Sequence, residues 1–169
     1  KTSVAKVKLA PGTGQITVSN ALYRAGAVYV GSGGNGTLSI VGGTCPMNFL
    51  RAASSLNTTG SVSLTDGTVT AVGFPFLTSH IGYGGAGKMT VSNSTWHASR
   101  IVVGTLAGSR GTLTIDGSEV VANATVTYGG FLIGFNGCRS TGVVTIASGA
   151  LYVTNDTHNC ELEVRGGTL

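Results

Sequence analysis

One short pattern recurs along the chain: a strand of alternating apolar and hydroxyl-bearing residues that ends in a Gly, Asn or Asp turn. Its first apolar positions are Ile16, Leu38, Val62, Met89, Leu113, Val144 and Leu162. These seven positions define six intervals in 146 residues, with a mean of about 24. A repeat at a nearly constant period is typical of proteins that stack one supersecondary unit on the next.

A second element precedes four of these strands and consists of an apolar residue followed by glycine. Its members are Val30-Gly31, Ile81-Gly82, Val103-Gly104 and Ile133-Gly134. The unit is therefore an apolar strand, a glycine turn, an alternating strand and a polar corner. Because side chains alternate along a strand, Leu113 and Ile115 are predicted to face one side, and Thr112 and Thr114 the other.

The composition excludes a helical or a disordered chain. Glycine accounts for 28 of the 169 residues, and each glycine costs a helix interior about 1 kcal/mol relative to alanine. Charged residues are only 9% of the chain, while 41% are hydrophobic, which is too apolar for a disordered segment. The chain is therefore predicted to be all-β.

The units are predicted to stack. Ordering one residue costs about 1–2 kcal/mol, whereas an inward Val, Ile or Leu contributes about 1.5–3 kcal/mol, so one short unit does not fold alone. We therefore predict a single domain over residues 1–169, a parallel β-helix (β-solenoid) of about seven coils. A β-sandwich is the alternative, but it does not explain the constant coil length. Residues 1–27 are expected to form an N-terminal hairpin or a capping coil.

Two stretches carry a resemblance to a known family. Residues Ile81 to Trp96 (IGYGGAGKMTVSNSTW) and Gly111 to Val120 (GTLTIDGSEV) resemble the passenger-associated strand-loop-strand repeats of bacterial autotransporters and of PEP-CTERM surface proteins. The resemblance covers about residues 28–169 and departs from the pattern around residues 45–60 and 121–132. It implies a right-handed β-helix that is exported to the cell surface or the medium, and it implies no particular chemistry.

The location follows from this resemblance and from the chain ends. The chain starts at Lys1 and stops within a repeat, so it is expected to be a fragment of a longer repeat protein that is extracellular or at the cell surface. No run of 18 apolar residues exists, so no membrane insertion of this segment is expected. Lys1 to Val18 (KTSVAKVKLAPGTGQITV) also resembles the opening hairpin of a small-subunit ribosomal protein family. The rest of the chain lacks the density of Lys and Arg that phosphate binding requires, so no nucleic-acid partner is expected.

Five residues are candidates for ligand binding. Lys88, Arg110 and Arg139 all lie in glycine turns that lead into an alternating strand, so stacking is expected to place them along one edge. Such an edge would bind an anionic glycan or a cell-surface polysaccharide, or it would serve only solubility. Trp96 and Tyr83 are expected either to stack on sugars or to pack under a loop.

The supply of catalytic and metal-binding groups is small. Asp66 and Asp116 both precede a glycine at a corner and are expected to cap the backbone rather than act in catalysis. No cofactor and no metal site are expected, since the three histidines lack ligand spacing. Cys138 and Cys160 are 22 residues apart, close to one coil, and are predicted to form a disulfide, which leaves Cys45 unpaired.

These observations favour a non-enzymatic structural or adhesive segment, a rigid spacer or a shallow glycan-binding rod. The first alternative is a carbohydrate-active β-helix enzyme, a polysaccharide lyase or hydrolase, acting through Lys88, Arg110 and Arg139 with Asp66 or Asp116. The second alternative is a filament subunit whose open coil ends associate head to tail.

Overall fold

The computed structural model describes residues 5–8, 13–72, 77–124, 130–134, 139–155, 161–164 and 167–169. Within these ranges the chain forms nineteen β-strands and no helix. In chain order the strands are β1 (Ala5–Lys8), β2 (Thr13–Ser19), β3 (Ala25–Val30), β4 (Asn35–Val41), β5 (Thr44–Met47), β6 (Phe49–Ala52), β7 (Thr59–Thr65), β8 (Thr68–Ala71), β9 (Ser79–Ile81), β10 (Ala86–Ser92), β11 (Thr95–Ala98), β12 (Arg100–Val103), β13 (Arg110–Asp116), β14 (Ser118–Ala124), β15 (Gly130–Ile133), β16 (Thr141–Ile146), β17 (Gly149–Asn155), β18 (Glu161–Val164) and β19 (Gly167–Thr168).

The strands form three parallel sheets that wind into a β-helix. Sheet A contains β1, β3, β6, β9, β12, β15 and β18; sheet B contains β2, β4, β7, β10, β13, β16 and β19; and sheet C contains β5, β8, β11, β14 and β17. Neighbouring strands pair in parallel, as β7, β10 and β13 do in sheet B. The prediction of an all-β parallel β-helix is confirmed. Five coils of the described chain have a strand in every sheet, which is fewer than the seven predicted.

The core lies inside the coils and is shared between them. Leu113 and Ile115 point inward and are fully buried, whereas Thr112 and Thr114 of the same strand are only partly buried on the outer face. The predicted alternation is therefore confirmed. The inward positions align from coil to coil, and one such column contains Leu38, Val62, Met89, Leu113 and Val144. Each of these buried side chains contributes about 1.5–3 kcal/mol.

The corner between sheets B and C explains the Asn, Asp and Gly residues of the repeat. After five successive strands of sheet B, the chain turns through a residue with a left-handed backbone, with φ between 47° and 65°. The residues are Asn20, Gly42, Asp66, Asn93 and Gly117. Asn, Asp and Gly adopt this conformation at the lowest steric cost, so the corner selects them.

The corner between sheets A and B depends on close backbone approach. Gly82 has φ +74°, and a Cβ atom at this position would lie 2.1 Å from the carbonyl oxygen of Arg110 in the next coil. Five residues later, a Cβ atom on Gly87 would lie 2.1 Å from the Gly82 nitrogen. Only glycine fits both positions without a shift of the backbone. This contact explains why the repeat begins with an apolar residue followed by glycine.

The structure corrects the predicted repeat unit in three ways. Each complete coil has a third strand, in sheet C, that the predicted unit lacks. The motif around Leu162 belongs to sheet A, where Leu162 pairs with Phe131, and not to the alternating strands of sheet B. The segment 45–60, expected to depart from the pattern, contains strands in register with their neighbours. The extra length lies between sheets C and A. One residue, Ser99, joins β11 to β12, but residues 72–78 join β8 to β9, and residues 125–129, within the expected departure at 121–132, join β14 to β15.

The first coil is also parallel. β1 pairs with β3, and β2 pairs with β4, in both cases in parallel. The described part of residues 1–27 therefore forms strands of the stack and not an antiparallel hairpin.

Candidate functional site

A groove of about 600 Å³ lies on the outer face of sheet C. Its floor is formed by three outward residues of successive strands, His97 of β11, Val121 of β14 and Tyr152 of β17. These residues are direct partners in the sheet, His97 with Val121 and Val121 with Tyr152. Tyr152 is 49% exposed, so much of its side chain is open to solvent.

Polar residues border the floor of this groove on both sides. Glu119 lies two residues before Val121 along β14 and is exposed. On the other side, Asn123 is the sheet partner of Thr154, and Ser99 follows the end of β11. The exposed Val72 also lines the side of Ser99, so the groove has a partly apolar floor, and both of its borders carry polar groups.

The alternation of β14 fixes this arrangement. Val120 and Ala122 point inward and are fully buried in the core. Their burial forces Glu119, Val121 and Asn123 to the outer face, because successive side chains of a strand point to opposite sides. The strand β14 is also seven residues long, whereas β11 has four, so sheet C is wider in its later coils.

The two basic residues of sheet B do not form one line. Lys88 is exposed and pairs with Ser61 and Thr112 of the neighbouring strands, whereas Arg110 is exposed and pairs with Ala86. Since Ala86 precedes Lys88 by two residues, the two cations lie in different columns of the outer face. Arg139 is exposed in the turn before β16, where its carbonyl oxygen accepts a hydrogen bond from the Gly108 N–H at 2.7 Å. These three residues were expected to align along one edge. The register instead places Lys88 and Arg110 in different columns.

Trp96 is a core residue. Its side chain is fully buried and belongs to the cluster that fills the interior. It points inward from β11 between Val69 and Val120, its partners in the neighbouring strands. A fully buried ring cannot contact a sugar. Trp96 therefore packs inside the protein and does not stack on a ligand.

Tyr83 belongs to a packed cluster at the outer face of sheet A. The guanidinium carbon of Arg51 lies 4.5 Å from the centre of the Tyr83 ring and 5.1 Å from that of Phe49. The His80 ring contacts the edge of Tyr83, with ring centres 4.8 Å apart. Tyr83 therefore has a guanidinium over its ring and an imidazole beside it, and these packing contacts are sufficient to explain its position.

His80 is buried within this cluster. Its Nδ1 atom lies 2.9 Å from the hydroxyl oxygen of Thr105. Burial lowers the pKa of His80 from 6.5 to about 3, and the positive charges of Arg51 and Arg100 add to the effect. The imidazole is therefore neutral at physiological pH and is a structural group.

The two corner aspartates are not equivalent, although each precedes a glycine. Asp66 is the left-handed residue of its corner, and its backbone N–H bonds to the Ser92 carbonyl oxygen at 3.2 Å. Asp116 is the last residue of β13, aligned with Ser92, and its carboxylate accepts a hydrogen bond from the Ser148 hydroxyl at 2.7 Å. Both contacts lie at the corner, but neither is a bond from the carboxylate to a backbone N–H, so the expected backbone cap stays a prediction.

The cysteines separate into two cases. Cys45 is free and fully buried, pointing into the core from β5. Burial raises the pKa of its thiol to about 11, so the nucleophilic thiolate is scarce at neutral pH. Cys138 and Cys160, with their predicted disulfide, lie outside the described residues.

Among the described residues, no three His, Cys, Asp or Glu side chains lie close enough together to hold a metal ion. No helix in the described ranges is long and apolar enough to span a membrane.

Sequence reasoning missed the groove. None of its residues was singled out as a candidate, because its strands belong to the sheet that the predicted unit lacked. The available signal was a second alternation after each corner, seen in Val120 and Ala122 and again in Leu151 and Val153.

Comparisons with known proteins do not assign the chain to a family. No family model, no curated protein and no solved structure matches it.

Proposed function

We propose that the chain is a non-enzymatic, rigid segment of an exported cell-surface or extracellular protein, and that it binds glycans on the outside of its β-helix. The observation that supports this proposal is the groove on sheet C, where the exposed Tyr152 lies between polar borders. Aromatic rings bind the C–H faces of sugars, and neighbouring hydroxyl, amide and carboxylate groups bind their hydroxyls.

The stack itself supports a mechanical role. Parallel ladders connect every described coil to the next, and side chains add cross-coil hydrogen bonds. Ser63 bonds to Ser39 at 3.2 Å, and the Thr59 hydroxyl donates to the Asn35 side-chain oxygen at 2.8 Å. Identical contacts repeated along a rod allow weak binding to add up.

Anionic glycans are the second ligand class within this proposal. Lys88 and Arg110 are both exposed on the outer face of sheet B, and Arg139 is exposed in the turn before β16. Because Lys88 and Arg110 lie in different columns, they act as separate charges and not as a continuous basic row. Binding through them would weaken with salt, whereas binding on sheet C would change little.

A carbohydrate-active enzyme is the second candidate function. The feature that favours it is the presence of a carboxylate, an imidazole and a phenol, from Glu119, His97 and Tyr152, in one groove. Such groups act as general acids and bases when they flank a scissile bond. Polysaccharide incubated with the protein and assayed for new reducing ends or unsaturated products tests this candidate; no products with any polymer would retire it.

Affinity electrophoresis tests the proposed function. The purified protein is run through gels that contain neutral polysaccharides or uronate-containing polysaccharides, at low and at high salt. We expect at least one polymer to slow the protein, and Tyr152→Ala to reduce that effect. Leu56→Ala is the matched control, because Leu56 is 67% exposed and is not a groove residue. Unchanged mobility in every polymer would contradict the proposal.

A further inference from the structure

The groove on sheet C has a direction. Its floor residues His97, Val121 and Tyr152 come from three successive coils and are aligned by the register of the sheet. The line through them is perpendicular to the strands and runs along the axis of the coil. A ligand that follows this floor therefore crosses strands and does not run parallel to them.

We propose that an uncharged pyranose chain lies along this axis and contacts the three coils in turn. This inference rests on the proposed function and names its ligand class, its orientation and the residues that select it. The coils are about 4.8 Å apart, a distance close to the advance of an extended pyranose chain per sugar. Successive sugars would then meet equivalent positions in successive coils.

The lining of the groove is chemically complementary to such a chain. A pyranose ring has apolar C–H faces and a rim of hydroxyl groups. The floor offers Val121 and the ring of Tyr152 to a face, while Glu119 on one side and Thr154 on the other offer partners to the rim. A peptide strand needs an open sheet edge with free backbone groups, which an outer sheet face does not supply.

The charge of the groove selects against acidic sugars. Among the described residues that line it, there is one carboxylate, Glu119, and no Lys or Arg. A uronate or sulfated sugar placed over Tyr152 would bring a second negative charge toward Glu119, at a cost that falls with added salt. A neutral chain has no such cost and uses the carboxylate as a hydrogen-bond acceptor.

Isothermal titration with oligosaccharides of defined length tests this inference. The probes are cello-, xylo- and manno-oligosaccharides of one to six sugars, and oligogalacturonates of the same lengths. For at least one neutral series we expect the affinity to rise with each sugar up to about three, the number of coils in the floor, and then to level off. Tyr152→Ala is expected to lower that affinity at least tenfold.

Two further variants separate the possible outcomes. Glu119→Gln removes the charge and keeps the shape, so it is expected to improve oligogalacturonate binding several-fold at low salt. Leu56→Ala is the control outside the groove, and unfolding curves establish that each variant is folded. The inference is wrong if the affinity for neutral oligosaccharides is unchanged in Tyr152→Ala, or if the original protein prefers oligogalacturonates. Either result would still be compatible with glycan binding. No binding of any polymer or oligomer overturns both.

Discussion

The outer faces of sheets A and C belong to the same coils but differ in their exposure to solvent. On sheet A the outward Val102 and Leu132 are only 2% and 3% exposed, and the outward His80 is buried beside them. On sheet C the outward Tyr152 is 49% exposed and lines a groove. The direction of a side chain in a β-helix therefore does not decide its exposure, and a face is available for binding only where nothing packs over it.

The two faces also use aromatic residues differently. On sheet A, Tyr29, Phe49 and Tyr83 surround the guanidinium of Arg51, with ring centres 4.5–6.0 Å from its central carbon. All of these contacts are made within the protein, so they stabilise its fold. On sheet C, Tyr152 makes no ring contact of this kind within the described residues and is 49% exposed in the groove.

The largest expected difference is in stability. Leu132→Ala removes a buried side chain from the outer face of sheet A and is expected to lower the free energy of unfolding by about 2–5 kcal/mol. Tyr152→Ala on the open face is expected to cost about 1 kcal/mol or less. Urea unfolding of the two variants measures both values. Equal losses would mean that the two faces are equally covered, and the comparison would fail.

The next difference is in pH dependence. The folded pKa of His80 is about 3 and its ordinary value is 6.5, so between these values the unfolded chain binds more protons than the folded chain. The neutral His80 therefore contributes its full stabilisation above about pH 6.5. Below that pH, the free energy of unfolding decreases by about 1.4 kcal/mol per pH unit, down to about pH 3. Unfolding measured from pH 7 to pH 5 should show a loss of about 2 kcal/mol.

A histidine variant assigns that loss. His80→Gln is expected to flatten the dependence between pH 7 and pH 5. A profile that is already flat in the original protein, or one that keeps its slope in His80→Gln, would contradict the assignment of the loss to His80.

A smaller effect is expected from the cation of the sheet A cluster. Arg51→Met removes the cation–π contacts and is expected to destabilise the protein by about 1–2 kcal/mol. It also removes one of the two positive charges that lower the pKa of His80, so the loss of stability in acid should become smaller. Arg110→Met, on the exposed face of sheet B, is the control and should change stability by about 0.5 kcal/mol or less. Equal effects of the two variants would mean that the cluster does not stabilise sheet A.

The sequence was sufficient to predict the stacked coils but not the residues on their outer faces. The β-helix follows from the repeat because its inner positions, such as Leu38, Val62 and Leu113, are similar in kind and regularly spaced. Sheet C escaped notice because the corresponding inner column combines Cys45 with Trp96, residues of very different size. Because sheet C was not predicted, the outward direction of the Tyr152 and Glu119 side chains could not be predicted either.

The binding residues show the same limit. Lys88, Arg110 and Arg139 were expected to share an edge because each follows a glycine turn, yet the register places Lys88 and Arg110 two positions apart along the strand. Leu162 was counted with the alternating strands because such a strand looks the same in either sheet. Register between residues some 25 positions apart depends on the length of every intervening corner, and the connections from sheet C to sheet A differ in length, from the single residue Ser99 to residues 72–78.

The most direct test of the central claim is an amide chemical-shift map of the 16.9 kDa protein during titration with a neutral oligosaccharide that it binds. The account predicts that the shifted signals cluster on the outer face of sheet C, around Glu119, Val121 and Tyr152, while those around Arg51 on sheet A stay unchanged. Shifts that cluster instead around Lys88 and Arg110 on sheet B, or on the covered face of sheet A, would contradict it.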